Sequence, residues 1–492
     1  MKKYIYIPED RKIWFDLAKK LHDNSIAKPV ISFWDDSYFQ DYFETFKDCE
    51  FLDYGETNIG LFTEKDSYKT SGIEDIIYSP DFLKFKEQAI KMMDRADLFW
   101  WFRNIDRNDI FYSIVFHLFD LIKSKKPDFI LMSWTPHVTG SFIMYGLCKF
   151  LNIPGYSFVW SSILPCVFLL KGIDGKFIDK PKNLTFSHEI TQKFNQDIEK
   201  FISKFQSKHF ELPADIKRQY DFDKLSLANF LKKLYKSISL IFYNKIEYFG
   251  FSNHKNSIWI FEKILFFFMK SKIIQSNIDS LKKYESHNVS ILEKKYVYFP
   301  LHYEPERTTN PDGWDYYDQI KAILALRKLV PKDIPIYTKE HYSQFTKSLQ
   351  WYRWKGRFFY AAISKIENVY ILDMNTPSTQ LIKSALFTAS ITGTTILESI
   401  CFEVPTIIMW NTWFENFTGV TRFTPKLSMS EVLSNKGNRA TCEEDIRNIV
   451  LNHWIFGTIG IVDESFYPHY YNEKNMKDRE LDDWYNFIVS II

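Results

Sequence analysis

An excess of charge of either sign is the first thing this chain lacks. Its 63 Lys+Arg stand against 61 Asp+Glu, a formal net charge of +2 over 492 residues. No whole-protein field draws it to nucleic acid, and no nucleic-acid partner is expected. Cysteine is scarce too: Cys49, Cys148, Cys166, Cys401 and Cys442 are odd in number, scattered and without CxxC spacing. That pattern argues against a disulfide framework and a zinc site and suits a reducing cytosol. The most apolar stretch of the later chain, 256–274, is broken by Glu262, Lys263, Lys270 and Lys272. It falls short of the roughly 20 mostly apolar residues that a spanning helix needs. The opening MKKYIYIPEDRKIW turns charged after a few apolar residues and reads as a first strand rather than a signal peptide. HExxH, GxSxG, GxGxxG and a Walker lysine are also missing, which sets aside zinc peptidase, serine hydrolase, dinucleotide-fold and P-loop readings. The adjacent acids of WDDSYF (34–39) read as a strand-end turn, not a DxD metal signature.

What is present is globular: 46% hydrophobic, 25% charged, and aromatics at 18% that read as core packing. Apolar runs at 4–7, 30–33, 129–133 and 156–160 alternate with amphipathic helical patterns. The alternation returns at 296–300, 335–339, 368–372, 386–391 and 406–410, with helices near 316–329, 377–384 and 394–402. Strands alternating with helices imply parallel sheets covered on both faces. Between the two halves the chain is Lys-rich and helical, with basic polar faces shared by packed helices and peripheral membrane anchors. The expected division is a first Rossmann-like, acceptor-side domain (1–184), a helical bridge (185–290), a second, nucleotide-sugar-binding domain (291–475) and a last amphipathic helix (476–492), with a cleft between the halves.

The chemistry-bearing residues cluster just past the ends of expected strands, the edge where open α/β sheets bind ligands. In YVYFPLHYEPERTT (296–309) a buried strand runs into His302, Glu304, Glu306 and Arg307. An extended chain would put His302, Glu304 and Glu306 on one face and point Arg307 away. Lys339, Glu340 and His341 follow the next strand, and Thr376–Pro377 reads as a helix start with Pro at its first position. In SITGTTILESI (390–400), Thr392-Gly393-Thr394-Thr395 opens a helix. Close backbone approach, hydroxyls and free amides make this an anion-binding junction. Glu398, one turn on, could accept from a ribose or sugar hydroxyl or serve the helix electrostatically. In the first half His137 follows KPDFILMSWTP, as a cap or structural histidine or as a group lining the cleft.

Taken together, VYFPLHYEPERTTNPDG, IYTKEHYSQF and SITGTTILESICFEVPTIIM resemble the capsule polysaccharide biosynthesis family, GT-B glycosyltransferases related to the capsule Kdo transferases. The likeness is clearest over 296–415 and fainter over 126–158. It implies a GT-B fold and metal-independent transfer of a sugar, such as an ulosonic acid of the Kdo, pseudaminic, legionaminic or sialic type, from a CMP-activated donor to a capsule or O-antigen glycan. Separately from the resemblance, the basic, aromatic-rich bridge is expected to give an otherwise cytoplasmic protein peripheral contact with the inner membrane, where a lipid-linked acceptor would be presented, and no cofactor is expected. Residue by residue the resemblance implies Lys339 and His341 near the nucleotide phosphate, Thr392, Gly393, Thr394, Thr395 and Glu398 around the nucleotide, and His137 on the acceptor side. The chain departs from the family at Tyr342, where a proline follows the histidine, and at Thr395–Ile396, where a small step is usual. The reaction also needs a base or nucleophile near the anomeric carbon. Glu306 is the first candidate, then Glu304, with His302 as orienting or donor-carboxylate-binding group. The rivals are a UDP-sugar 2-epimerase-like enzyme, a CDP-glycerol-type phosphotransferase and a non-catalytic assembly scaffold.

Overall fold

The structure, a computed structural model, describes residues 1–34, 39–60, 62, 68, 70–96, 103–161, 163–173, 176–205, 272–286, 295–345, 354–459, 467–471 and 476–492. They form two compact units. The first takes Met1–Glu199 and Ile446–Ile492, and the second includes the described part of Ser252–Asp445.

Every strand expected from an apolar run is present, and the α/β class with one Rossmann-like sheet in each unit is the observed one. The first unit holds β1 (Lys2–Ile7), β2 (Ala27–Trp34), β3 (Glu50–Asp53), β4 (Phe129–Met132), β5 (Gly155–Trp160), β6 (Cys166–Lys171) and β13 (Ile455–Phe456). Their order is β13-β6-β5-β4-β1-β2-β3. The pairs from β5 through β3 are parallel, and β6 and β13 join antiparallel. The second unit holds β7 (Val297–Pro300), β8 (Ile336–Lys339), β9 (Val369–Leu372), β10 (Phe387–Ser390), β11 (Thr406–Ile408) and β12 (Val420–Arg422), all parallel, in the order β12-β11-β10-β7-β8-β9. Strands buried on both faces need continuous apolar runs, which is why the sequence signals them so plainly.

The boundary expected at 475 is corrected: the division falls between Asp445 and Ile446. Ile455 and Phe456 pair with Val167 and Cys166 of β6, and the Trp484 indole donates to the Phe456 carbonyl at 3.0 Å. The C-terminal helix Met476–Ile491 lies on the helix Lys12–Asp23, where Trp14 and Trp484 have ring centroids 4.7 Å apart. Trp14, Leu17, Ala18 and Leu21 recur at helical spacing and are fully buried there. A two-residue strand leaves no periodic signal, so the return of the chain could not be read from it. Of the expected bridge, residues 206–271 and 287–290 lie outside the described residues, as do 35–38 of WDDSYF. Pro377 stands one place before the helix Ser378–Ser384, as its N-cap in extended conformation, rather than at the first helical position. Among the described residues no helix is long and apolar enough to cross a membrane.

Candidate functional site

In the second sheet the chain winds outward from β7 to β8 and β9, then returns to the other side of β7 as β10. That reversal puts the topological switch point at the carboxyl ends of β7 and β10, the position where doubly wound sheets bind ligands. The loops carrying the candidate residues border it.

The loop after β7 is not extended, which corrects the expected alternation of faces. Leu301 still donates to the Lys339 carbonyl at 2.9 Å, after which the chain turns: the amides of Thr309 and Asn310 both reach the Glu306 carbonyl, at 3.3 and 2.9 Å. Two buried glutamines, neither singled out in the sequence, clamp it. Gln319 accepts from the His302 amide at 2.9 Å and donates to the His302 carbonyl at 3.0 Å and to Glu304 Oε1 at 2.7 Å. Gln344 accepts from the Glu304 amide at 2.8 Å and donates to its carbonyl at 3.1 Å. Glu304, itself buried, is thereby a group that holds the loop's shape.

His302 and Glu306 are brought together by the turn. His302 Nδ1 lies 3.9 Å from Glu306 Oε2, an electrostatic distance rather than a hydrogen bond, and Nε2 lies 3.1 Å from Ser390 Oγ at the end of β10. Ser390 Oγ also accepts from the Gly393 amide at 3.0 Å. With Ser390 donating to Nε2, the ring proton sits on Nδ1 and faces the carboxylate. Burial pushes the Glu306 carboxyl up, but His302, with Thr308 and Tyr303, more than offsets it and holds Glu306 below the usual range. Gly393 is required by this contact: a Cβ there would stand 2.6 Å from Ser390 Oγ and 3.2 Å from the His302 ring. The glycine serves the bridge between the two loops as well as any ligand. Thr392 is likewise occupied, donating to the Thr308 carbonyl at 2.6 Å. Thr394 is exposed and Thr395 half-buried, and neither amide has an acceptor among the described residues.

Lys339, at the end of β8, is buried and donates to Ser378 Oγ at 2.7 Å and to the Thr376 carbonyl at 2.9 Å. Tyr342, the residue that departs from the family pattern, begins a 3-10 turn and sets its ring 5.1 Å below the ammonium. Burial pulls Lys339 down to about 8, with Glu398 and Asp373 pulling back. Burial pushes Glu398 up to about 7, with Lys339 opposing. The Glu398 carboxylate makes no hydrogen bond or ion pair with the described residues, so its acceptor capacity is unspent. His341 Nδ1 accepts from the Ser343 amide at 3.1 Å, and burial takes its pKa down to about 4, so it is neutral at pH 7.

One element under the site left no sequence signal. Glu340 and Lys355 form a fully buried ion pair at 2.9 Å, and Tyr360 donates to the same carboxylate at 2.8 Å. Glu340 also accepts from the His341 amide at 2.7 Å, while Lys355 donates to the His302 carbonyl. The pair therefore fixes the backbones of both histidine-bearing loops. A separation of 15 positions hides it in the sequence.

His137 belongs to the first unit and follows β4. Its Nδ1 is 3.3 Å from the Thr135 carbonyl, Trp134 stands edge-on at 4.7 Å, and its own carbonyl accepts from Arg95 at 2.8 Å. The cap of the following helix Thr139–Phe150 is Val138, with no side-chain bond, so His137 does not cap it.

No protein-family model matches the chain, and no curated protein matches it. Among solved structures it is similar to the UDP-GlcNAc 2-epimerase of Methanocaldococcus jannaschii, with 11% identity over 93% of this chain and 96% of that one and a TM-score of 0.22. It is also similar to the Neisseria meningitidis UDP-GlcNAc 2-epimerase bound to UDP-GlcNAc (11% identity, 100% and 98% covered, TM-score 0.19). A third is Anabaena HepE in complex with UDP and glucose (10% identity, 100% and 95% covered, TM-score 0.20). At TM-scores this low the likeness carries no argument for substrate or reaction.

Proposed function

We propose that the second unit binds a nucleotide-activated sugar at the β7–β10 switch point and that the chain transfers the sugar to a glycan or lipid-linked glycan hydroxyl. The observation that carries this reading is the convergence, on one sheet edge, of an ionised carboxylate tied to a histidine (Glu306–His302–Ser390) with a buried cation and an unspent carboxylate (Lys339, Glu398). Lys339 and the amides of Thr394 and Thr395 suit the leaving phosphate, which they would stabilise without help from bulk water. Glu398 suits the ribose. Glu306, kept ionised, takes the proton of the acceptor hydroxyl as its oxygen bonds the anomeric carbon and the nucleotide leaves with the electrons of the broken C–O bond. The motif resemblance favours a CMP-activated ulosonic acid as donor.

A second reading, epimerisation of a UDP-sugar at C2, draws support from a different feature. A carboxylate held low (Glu306) and another raised to about 7 (Glu398) supply a base and an acid on the same edge. The two readings part on the nucleotide and the product. Calorimetry with CMP, CDP and UDP, followed by turnover of a donor panel with and without glycan acceptor, tests both. Acceptor-dependent release of CMP supports transfer, and acceptor-independent change at C2 of a UDP-sugar supports epimerisation. Failure of every nucleotide to bind would overturn the shared premise.

A further inference from the structure

A second surface of the same unit has no part in that chemistry. The helix at 272–284 buries Ile274 and Leu281 in the core and turns Lys272, Gln275, Asp279 and Lys283 outward. The helix Arg357–Ile363 buries Tyr360 and Ile363 and leaves Arg357 and Phe358 outward, with Lys365 just beyond it. Between them runs an open groove of about 790 Å³. Four of its lining residues are cations, Lys272, Lys283, Arg357 and Lys365, and one, Asp279, is an acid. All four cations are exposed, and none makes an ion pair with the described residues. Asp279 is engaged by Gln275 at 2.8 Å. Phe358 is 76% exposed, the most exposed phenylalanine among the described residues, with the Arg357 guanidinium 4.6 Å from its ring centre.

We propose that this groove docks the phosphate headgroups of an anionic lipid bilayer. Unneutralised like charges crowded into one groove repel one another, and an anionic partner relieves that repulsion. Two features favour a bilayer over a small soluble anion. The cations sit at the ends of long side chains around an open trough rather than converging on a closed pocket of donors. An exposed aromatic among them gains by leaving water for the headgroup–acyl boundary, where basic residues flanking aromatics are a common arrangement. The attraction of a lysine or arginine to an anionic membrane corresponds to about a fivefold gain in affinity per charge. Four together amount to several hundredfold. The proposal is independent of which sugar the site takes.

Flotation of the full chain with phosphatidylcholine vesicles, with and without phosphatidylglycerol, tests it. The wild type should float with the anionic vesicles, less so as salt rises, and not with neutral ones. Single changes Lys272→Gln, Lys283→Gln, Arg357→Gln and Lys365→Gln should each cost about fivefold, and all four together several hundredfold. Phe358→Ser should weaken flotation with its melting temperature unchanged, because the side chain packs on little. Equal flotation with both vesicles, or single variants that float like the wild type, would overturn the proposal. Binding to inorganic phosphate or to dextran sulfate without flotation would assign the groove to a soluble anion and overturn it too.

Discussion

In the first unit the loops at the switch point follow β1 and β4 and carry Arg11 and His137; in the second they follow β7 and β10 and carry His302, Glu306, Ser390 and Thr392–Thr395. Both sheets wind alike, outward on one side of the first strand and back on the other. Arg11, however, is used in packing. It reaches the Thr458 carbonyl and lies 3.5 Å from Glu480, which also accepts from the Thr458 amide at 2.9 Å and from the Tyr471 hydroxyl at 3.1 Å. That network fastens the C-terminal helix to the first sheet. At the second switch point, buried groups (Gln319, Gln344, Glu340, Lys355) hold the loops, while the Glu398 carboxylate and the amides of Thr394 and Thr395 keep unspent capacity. Topology alone therefore does not make a site. The difference lies in whether the charges past the strand ends are consumed by the fold or supported by a second layer beneath them.

The largest expected effect strikes that second layer. Lys355→Met leaves Glu340 buried without its cation, and removing one partner of a buried pair costs about 3–5 kcal/mol. Urea or thermal unfolding should show the loss, with Lys355→Arg recovering part of it. An unchanged melting temperature would mean that the pair does not support the loops. Next comes Glu306→Gln, which should retain nucleotide affinity and lower turnover by at least about 100-fold, the low end for a lost acid–base group. Turnover like the wild type would move the chemistry off this loop.

The smallest effect is on stability against pH, and two groups act with opposite sign. Glu398, raised from 4.5 to about 7, binds more protons folded than unfolded between those values, so its contribution falls as pH rises through that window. His341, lowered from 6.5 to about 4, binds fewer protons when folded, so its contribution is lost as pH falls from 6.5 towards 4. Glu398→Gln should therefore steepen the rise of melting temperature with pH across this range, and His341→Gln should flatten or reverse it. Identical profiles for the two variants would contradict the burial assigned to both.

Much of this contrast was legible in the sequence, for physical reasons. Parallel strands buried on both faces announce themselves as apolar runs, and charges after Pro300 and Lys339 mark strand ends. The antiparallel β6 and the two-residue β13 were missed because one pairs beyond the regular alternation and the other is too short to show a period. The sequence sets the site residues in a row on an extended chain, but turns after Pro300 decide which ones meet. Ser390 looked like the last residue of a strand, and its contact with His302 spans 88 positions. Gln319, Gln344 and Lys355 sit on segments whose local pattern reports only helix or loop; their roles exist only once the strands are in register.

Hydrogen exchange measured by mass spectrometry, with and without saturating CMP or UDP, tests most directly the claim that the second switch point is the one that binds. The account predicts slower exchange over 301–310, 339–345 and 390–398, with 8–11 and 133–138 unchanged. Protection confined to 8–11 and 133–138, or the same exchange with every nucleotide as without, would contradict it.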